Sequence, residues 1–245
     1  MQKALSPSIN NELSTGVQST ERIHRNDLPA PAGYREMTRH SLQHLFCAAM
    51  ELELSTLEPK RTWRIESHPD NVFVIPTIWV FTYKFDDNGY LKRVKARICV
   101  QGNKQIMTHD DTTAAALASK CFRLMMALTA AFNLEIKQYD APNAFVNSEL
   151  DELVYVAPPP GRMRKEYTDS RCTLRLNRAL YGLRCSPRLW QRDFSSTMRK
   201  LGLEPVNEEP CLFIGHGVIV LVYVEDIFIF YLPNLRTKRI VLPNL

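Results

Sequence analysis

The six cysteines (Cys47, Cys99, Cys121, Cys172, Cys185 and Cys211) form no CxxC pair and no Cys/His cluster at zinc-ligand spacing. Structural zinc and a disulfide framework are therefore set aside, and reduced thiols in an intracellular protein are expected. The opening residues, MQKALSPSIN, lack the basic stretch and apolar core of a secretory leader. No uninterrupted apolar run reaches the roughly 20 residues of a membrane helix. The longest such stretch, around residues 218–232, is broken by acids. A cytoplasmic or nuclear protein is expected, not secreted and without membrane partners. No internal repeat is visible, and helices and strands do not alternate as regular βαβ units. That argues for an α+β fold.

What is present supports a real core, since 45% of the 245 residues are apolar and 23% charged. A net charge of +5 leans basic, which suits a polyanionic partner without requiring one. Residues 1–28 are polar and aperiodic, and read as a disordered or loosely packed lead-in. In HSLQHLFCAAMELEL the positions Leu42, Leu45, Phe46, Ala49 and Leu52 or Glu53 approximate a helical stripe. PTIWVFTYKF, DDNG and YLKRVKARICVQG form a hairpin, with Asn88-Gly89 supplying the positive φ of a tight turn. On its second strand Arg93, Lys95 and Arg97 alternate with Val94, Ala96 and Ile98, which puts three cations on one face. Such a face is either a solvated edge or a surface for phosphates.

SKCFRLMMALTAAFNLE reads as an amphipathic helix burying Cys121, Leu124, Met125, Leu128 and Phe132. In the following strand, LEIKQYDA, the residues Leu134, Ile136, Gln138 and Asp140 share a face. CSPRLWQRDFSSTMRKLG is a helix with Ser186 as its expected N-cap, Pro187 in its first turn and Gly202 just past its end. Trp190, Phe194, Met198 and Leu201 form its apolar face, and Arg188 and Arg192 share another.

The chemistry concentrates in LVYVEDIFIF, where Glu225 and Asp226 interrupt an apolar strand. Adjacent carboxylates repel each other and resist desolvation. They mark either an exposed hairpin turn or a site where cations neutralise them. In the second case Asp140 would join them from a neighbouring strand. Two Mg²⁺ ions ~3.5–4 Å apart would then serve an in-line phosphoryl transfer. Spacing alone leaves both readings open.

Tyr223-Val224-Glu225-Asp226 and its apolar flanks resemble the Tyr-x-Asp-Asp box of reverse transcriptases. WVFTYKFDDNGYLKRVKARICVQG, LEIKQYDAPNAFVNSELDELVYVAPPPG, LRLNRALYGLRCSPRLWQRDF and EEPCLF followed by LVYVEDI are similar, in order and spacing, to copia-type retrotransposon polymerases. The likeness runs from about Leu28 to Phe230, with fungal elements nearest in flavour.

The resemblance implies the fingers and palm of a right-hand polymerase over residues 29–230, followed by a non-family tail over 231–245. The implied function is RNA-directed DNA synthesis within a retrotransposon polyprotein, by two-metal phosphoryl transfer. It also implies Mg²⁺ or Mn²⁺, an RNA or DNA primer-template, deoxynucleoside triphosphates and contacts with other retroelement proteins. Asp140, Glu225 and Asp226 would be the catalytic, metal-holding acids. Lys84, Arg97, Phe145, Tyr181, Gly182 and Arg184 would hold the nucleotide, and Arg93, Lys95, Arg188 and Arg192 the nucleic acid. Phe145 would stand against the sugar 2′ position, although a plain core Phe reads equally well. Glu225 stands where the family has Asp, and the family's thumb does not follow Asp226. A truncated, weakly active or inactive enzyme is therefore expected. The alternatives are a catalytically dead remnant that folds and binds nucleic acid non-specifically, or an unrelated α+β binding domain.

Overall fold

The computed structural model describes residues 16–20, 22–105, 119–161, 164–168 and 171–233. In chain order, β1 (Val17–Gln18), α1 (Tyr34–Met37) and α2 (Gln43–Leu57) lead into β2 (Trp63–Ser67) and β3 (Val74–Ile75). The hairpin strands β4 (Thr77–Phe85) and β5 (Leu91–Val100) follow. Then come α3 (Ser119–Phe132), β6 (Glu135–Asp140), β7 (Tyr155–Val156), β8 (Cys172–Leu176) and α4 (Ser186–Lys200). The described chain ends in β9 (Glu204–Val206), β10 (Glu209–Gly215), β11 (Val218–Tyr223) and β12 (Asp226–Tyr231). Its strands make three sheets, ordered β1-β5-β4, β2-β8-β7-β3 and β6-β12-β11-β10-β9. Among the described residues no helix is long and apolar enough to cross a membrane.

The hairpin forms as its alternation dictates. Val94, Ala96, Ile98 and Val100 are buried, while Arg93, Lys95 and Arg97 are half-exposed on the opposite face. Antiparallel register sets Val80 opposite Arg97 and Lys84 opposite Arg93. The turn is held by the Asn88 amide donating to Asp86 Oδ1 at 3.0 Å, with Gly89 at φ 83°. β5 is not a sheet edge at Arg93 and Val94, because β1 pairs with it there. Part of the expected loose lead-in therefore packs as a strand, while residues 1–15 lie outside the described residues.

Beyond β1, helix α2 takes over the task of covering β5. Glu53 on this helix is only 2% exposed, and its carboxylate accepts the Ile98 amide and faces Arg97 and Lys95. Burial pushes the Glu53 carboxyl up from 4.5 to about 7. An acid raised by folding adds stability below its ordinary value and loses it as pH climbs through the raised one. Between pH 5 and pH 8 the unfolding free energy should thus fall by on the order of 2–3 kcal/mol from this group. Glu53→Gln should flatten that dependence and stabilise the protein at pH 8, as read by denaturant titration. An unchanged pH dependence in the variant would contradict this.

The five-stranded sheet is covered on both faces. Val218, Val220, Val222, Ile227 and Ile229 cluster with Trp190, Phe194 and Met198 of α4. The alternate residues Leu221 and Phe230 cluster with Met125 of α3, and the Phe122 and Phe228 rings meet at 5.7 Å. The stripe on α3 is narrower than its sequence suggests. Met125 is buried, but Leu124 and Phe132 are 57% and 63% exposed, so the helix seats only a thin seam on the sheet. Helix α4 also starts one residue earlier than expected. Cys185 holds the N-cap position without a side-chain cap, because the Ser186 hydroxyl donates to Leu180 O at 2.7 Å instead. Gly202 ends the helix at φ 75°, as its position suggests.

Candidate active site

Strand register assembles the acids. β12 runs antiparallel to β6, with Asp226 directly opposite Asp140 and Phe228 opposite Gln138. Directly opposed residues of an antiparallel pair point to the same face, with Cβ atoms roughly 4.5–5.5 Å apart. The two aspartates therefore share the sheet face that carries Phe228 and Phe230. Asp140 is exposed, Asp226 is half-buried, and the Gln138 amide donates to Asp226 Oδ1 at 3.2 Å.

Glu225 occupies the turn between β11 and β12, beside Val224 at φ 56°. A β-branched residue is strained in that region, so the surroundings must hold it there. Trp190 Nε1 donates to Val224 O at 2.7 Å, and the Ala141 amide donates to Glu225 O at 2.8 Å. With its backbone pinned, Glu225 sends its side chain away from the aspartates. Arg97 Nη2 lies 3.5 Å from its Oε1, and the Tyr181 hydroxyl donates to its Oε2 at 3.3 Å. Arg97 also stacks over the Tyr181 ring at 5.1 Å. Burial first, and Glu225 next, push the Tyr181 phenol well above its ordinary value, so it remains a donor. Among the described residues no three His, Cys, Asp or Glu side chains stand together as a metal-holding set. The two aspartates converge, and Glu225 is bound elsewhere.

The other predicted residues surround this centre unequally. Asn143, at φ 53°, opens the short turn that delivers Phe145, whose ring meets Tyr181 edge-on at 5.2 Å. Phe145 also packs against both large apolar clusters, so it is at least a structural ring. Lys95 is held below its ordinary pKa by burial and by Arg97, Lys84 and Arg93, with Asp140 pulling the other way. One sheet face thus gathers mutually repelling cations that an anion would relieve. Lys84 lies at the far, exposed end of that face, opposite Arg93 rather than Arg97. Arg184 Nε donates to Gly102 O at 2.8 Å. Arg188 and Arg192 converge on Asp151 at 3.3 and 3.1 Å, so that carboxylate partly neutralises them.

Gly182 joins the hairpin to the loop before α4. The Val100 amide donates to Tyr181 O at 2.7 Å, and a Cβ on Gly182 would stand 2.0 Å from Val100 O. Its φ of 89° adds a conformational penalty for any other residue. Gly182→Ala should therefore destabilise by on the order of 3 kcal/mol and lower the thermal midpoint. A midpoint equal to the parent's would show that this contact is not tight. The sequence offers no signal for the Glu53 and Gln138 contacts, since both partners lie far away along the chain.

Residues 60–233 match the family described as reverse transcriptase (RNA-dependent DNA polymerase). The chain is 28% identical to the retrovirus-related Pol polyprotein from transposon TNT 1-94 of Nicotiana tabacum, over 86% of this chain and 16% of the relative. It is 31% identical to the Pol polyprotein from transposon RE2 of Arabidopsis thaliana, over 74% of this chain and 13% of the relative. Identity to the transposon Ty1-BL Gag-Pol polyprotein of Saccharomyces cerevisiae is 26%, over 80% of this chain and 11% of the relative. The chain thus spans less than a fifth of the curated relatives it matches.

Proposed function

The chain belongs to the reverse transcriptase (RNA-dependent DNA polymerase) family, as the domain found in copia-type retrotransposon Pol polyproteins, and from that membership we propose that it carries the fingers and palm of an RNA-directed DNA polymerase. The observation that carries this reading is the register of Asp226 against Asp140. Its substrates would be an RNA or DNA primer-template and deoxynucleoside triphosphates, met inside the cell.

A divalent metal fits the aspartate pair by its chemistry. Mg²⁺ is usually held by one or two carboxylates together with substrate phosphates. Asp140 and Asp226 supply two hard oxygen donors side by side at the end of the α3-covered face, Asp140 exposed and Asp226 half-buried. When bound, such ions neutralise phosphate charge and stabilise the attacking and leaving oxygens. Glu225 is the third acid of the proposed set, and it reaches that set only if it leaves Arg97 and Tyr181.

The protein's own groups do the positioning. Arg97 and Lys95, with Arg93 and Lys84 further along the same strands, form the cationic wall that grips the triphosphate and the template phosphates. Phe145, braced by Tyr181, flanks the sugar and would clash with a 2′-hydroxyl. Gly182 permits close approach of the backbone to the nucleotide, and Arg184 stiffens the junction through Gly102 O. Arg188 and Arg192 add charge toward nucleic acid that Asp151 tempers.

The test is primer extension on a primed RNA template with Mg²⁺ or Mn²⁺. Slow, metal-dependent incorporation of deoxynucleotides in preference to ribonucleotides is expected. Its absence with both metals would favour a remnant that folds and binds nucleic acid non-specifically.

A further inference from the structure

A cavity of about 360 Å³ lies against α4, bordered by Lys60, Asn147, Ser148 and Arg178. Helix α4 packs on the sheet face opposite to the one that carries Asp226. The cavity is therefore separate from the aspartate pair. Its polar side chains are arranged without a full set of partners. Lys60 Nζ donates to Asn147 Oδ1 at 3.0 Å, a neutral acceptor. Arg178 donates from Nε to Lys60 O at 2.9 Å and from Nη1 to Asn147 O at 3.2 Å, both again neutral. Its carboxylate neighbour, Glu149, is 4.0 Å away and 83% exposed, where water screens it. Asp193 also borders the cavity but is taken by Arg192 at 3.0 Å.

Two further groups point the same way. Ser148 is fully buried, yet its Oγ has no hydrogen-bond partner among the described residues, and neither has Asn147 Nδ2. Buried polar atoms are nearly always partnered in native proteins, so each such group calls for an explanation. Burial and the charge of Arg178 hold Lys60 below its ordinary pKa, which an anion would reverse.

We propose that this cavity is a phosphate-binding site, in which Lys60 and Arg178 supply the charge while Ser148 Oγ and Asn147 Nδ2 supply hydrogen bonds. Donors from four side chains suit the several acceptor oxygens of a phosphate better than the two of a carboxylate. Arg178 Nη2 makes only the 4.0 Å, solvent-screened pair with Glu149, so it can turn to complete a forked contact. The phosphate belongs either to a free nucleotide or to the backbone of a nucleic-acid strand outside the aspartate cleft. The proposal stands whether or not the protein polymerises.

The full chain should be titrated with inorganic phosphate by calorimetry, and with a single-stranded oligodeoxythymidylate by anisotropy over a range of salt. Lys60→Gln and Ser148→Ala are expected to weaken phosphate binding by about tenfold each, the effect of one lost charged or buried hydrogen bond. If the phosphate comes from a strand, Lys60→Gln should also lower the salt slope for the oligonucleotide by about 1. An unchanged slope with weakened phosphate binding assigns the site to a free nucleotide. Lys60→Gln should not lower the thermal midpoint, because it removes a cation that folding leaves uncompensated. If that variant fails to fold, Ser148→Ala decides. Phosphate affinity equal to the parent's in the folded variants would overturn the proposal, as would no measurable phosphate binding by the parent.

Discussion

Asp140→Asn is expected to abolish metal-dependent primer extension while leaving the fold intact. Asn preserves the shape of the side chain and removes its charge. Asp140 is exposed at the end of β6, so the substitution should cost no more than about 0.5 kcal/mol of stability. The loss falls on the site instead, because a hard cation shared with phosphate depends on anionic oxygen ligands. Removing one electrostatic contact of this kind lowers rates by on the order of 10²–10³-fold. Asp226→Asn should do the same, and the double variant should add little, since the two aspartates act on one ion. Extension by Asp140→Asn at the parent's rate would place the chemistry elsewhere.

Glu225→Asp is expected to raise the rate. The carboxylate of Glu225 reaches Arg97 at 3.5 Å and Tyr181 at 3.3 Å, contacts that depend on its length. Removing one methylene draws the carboxylate back by about 1.5 Å and leaves both contacts too long. Its charge is unchanged, so it still favours cations at the neighbouring aspartates. Arg97 is meanwhile released toward an incoming triphosphate. The stability lost should be under about 1 kcal/mol, because the Arg97–Glu225 pair is about a third exposed, at 34% and 30%. A misplacement of ~1 Å at a reacting centre costs on the order of 10²-fold, so a gain of ten- to a hundredfold is expected at fixed Mg²⁺. Glu225→Gln should give no gain, since it frees Arg97 but supplies no charge to the metals. Equal gains in both variants would mean that Arg97 alone was limiting. No gain in either would mean that Glu225 does not limit the reaction.

Much of this site was legible in the sequence wherever the signal is local. The strict alternation of Arg93, Lys95 and Arg97 with buried Val94, Ala96 and Ile98, together with Asn88-Gly89, specifies the hairpin and its cationic face. Asp140 and Asp226 could be named because Asp140 ends the strand LEIKQYD, Asp226 interrupts an apolar run, and the likeness to the Tyr-x-Asp-Asp box points to both. What joins them is the pairing of β6 with β12, two strands far apart in the chain, and no local period encodes that register. The destination of Glu225 was hidden for the same reason, since Arg97 comes from the hairpin and Tyr181 from the loop before α4. Glu53 falls on the buried side of its helix by period, but the Ile98 amide and the cations that make its burial tolerable are not visible locally. Lys60 and Arg178 sit in connecting segments without pattern, and their meeting is purely tertiary. Where local signals misled, the cause was competition. The Ser186 hydroxyl chose Leu180 O over the helix amides, and α3 seats only a narrow seam on its sheet, which leaves Leu124 and Phe132 exposed.

The most direct test of the aspartate pair is a Mn²⁺ titration followed by electron paramagnetic resonance, in the presence of a deoxynucleoside triphosphate and primed RNA. Mn²⁺ is expected to bind to the parent with nucleotide present and to be lost in Asp140→Asn and Asp226→Asn, with all three proteins equally folded by circular dichroism. Binding of the same strength in both variants would contradict the assignment of Asp140 and Asp226 as the metal-holding pair.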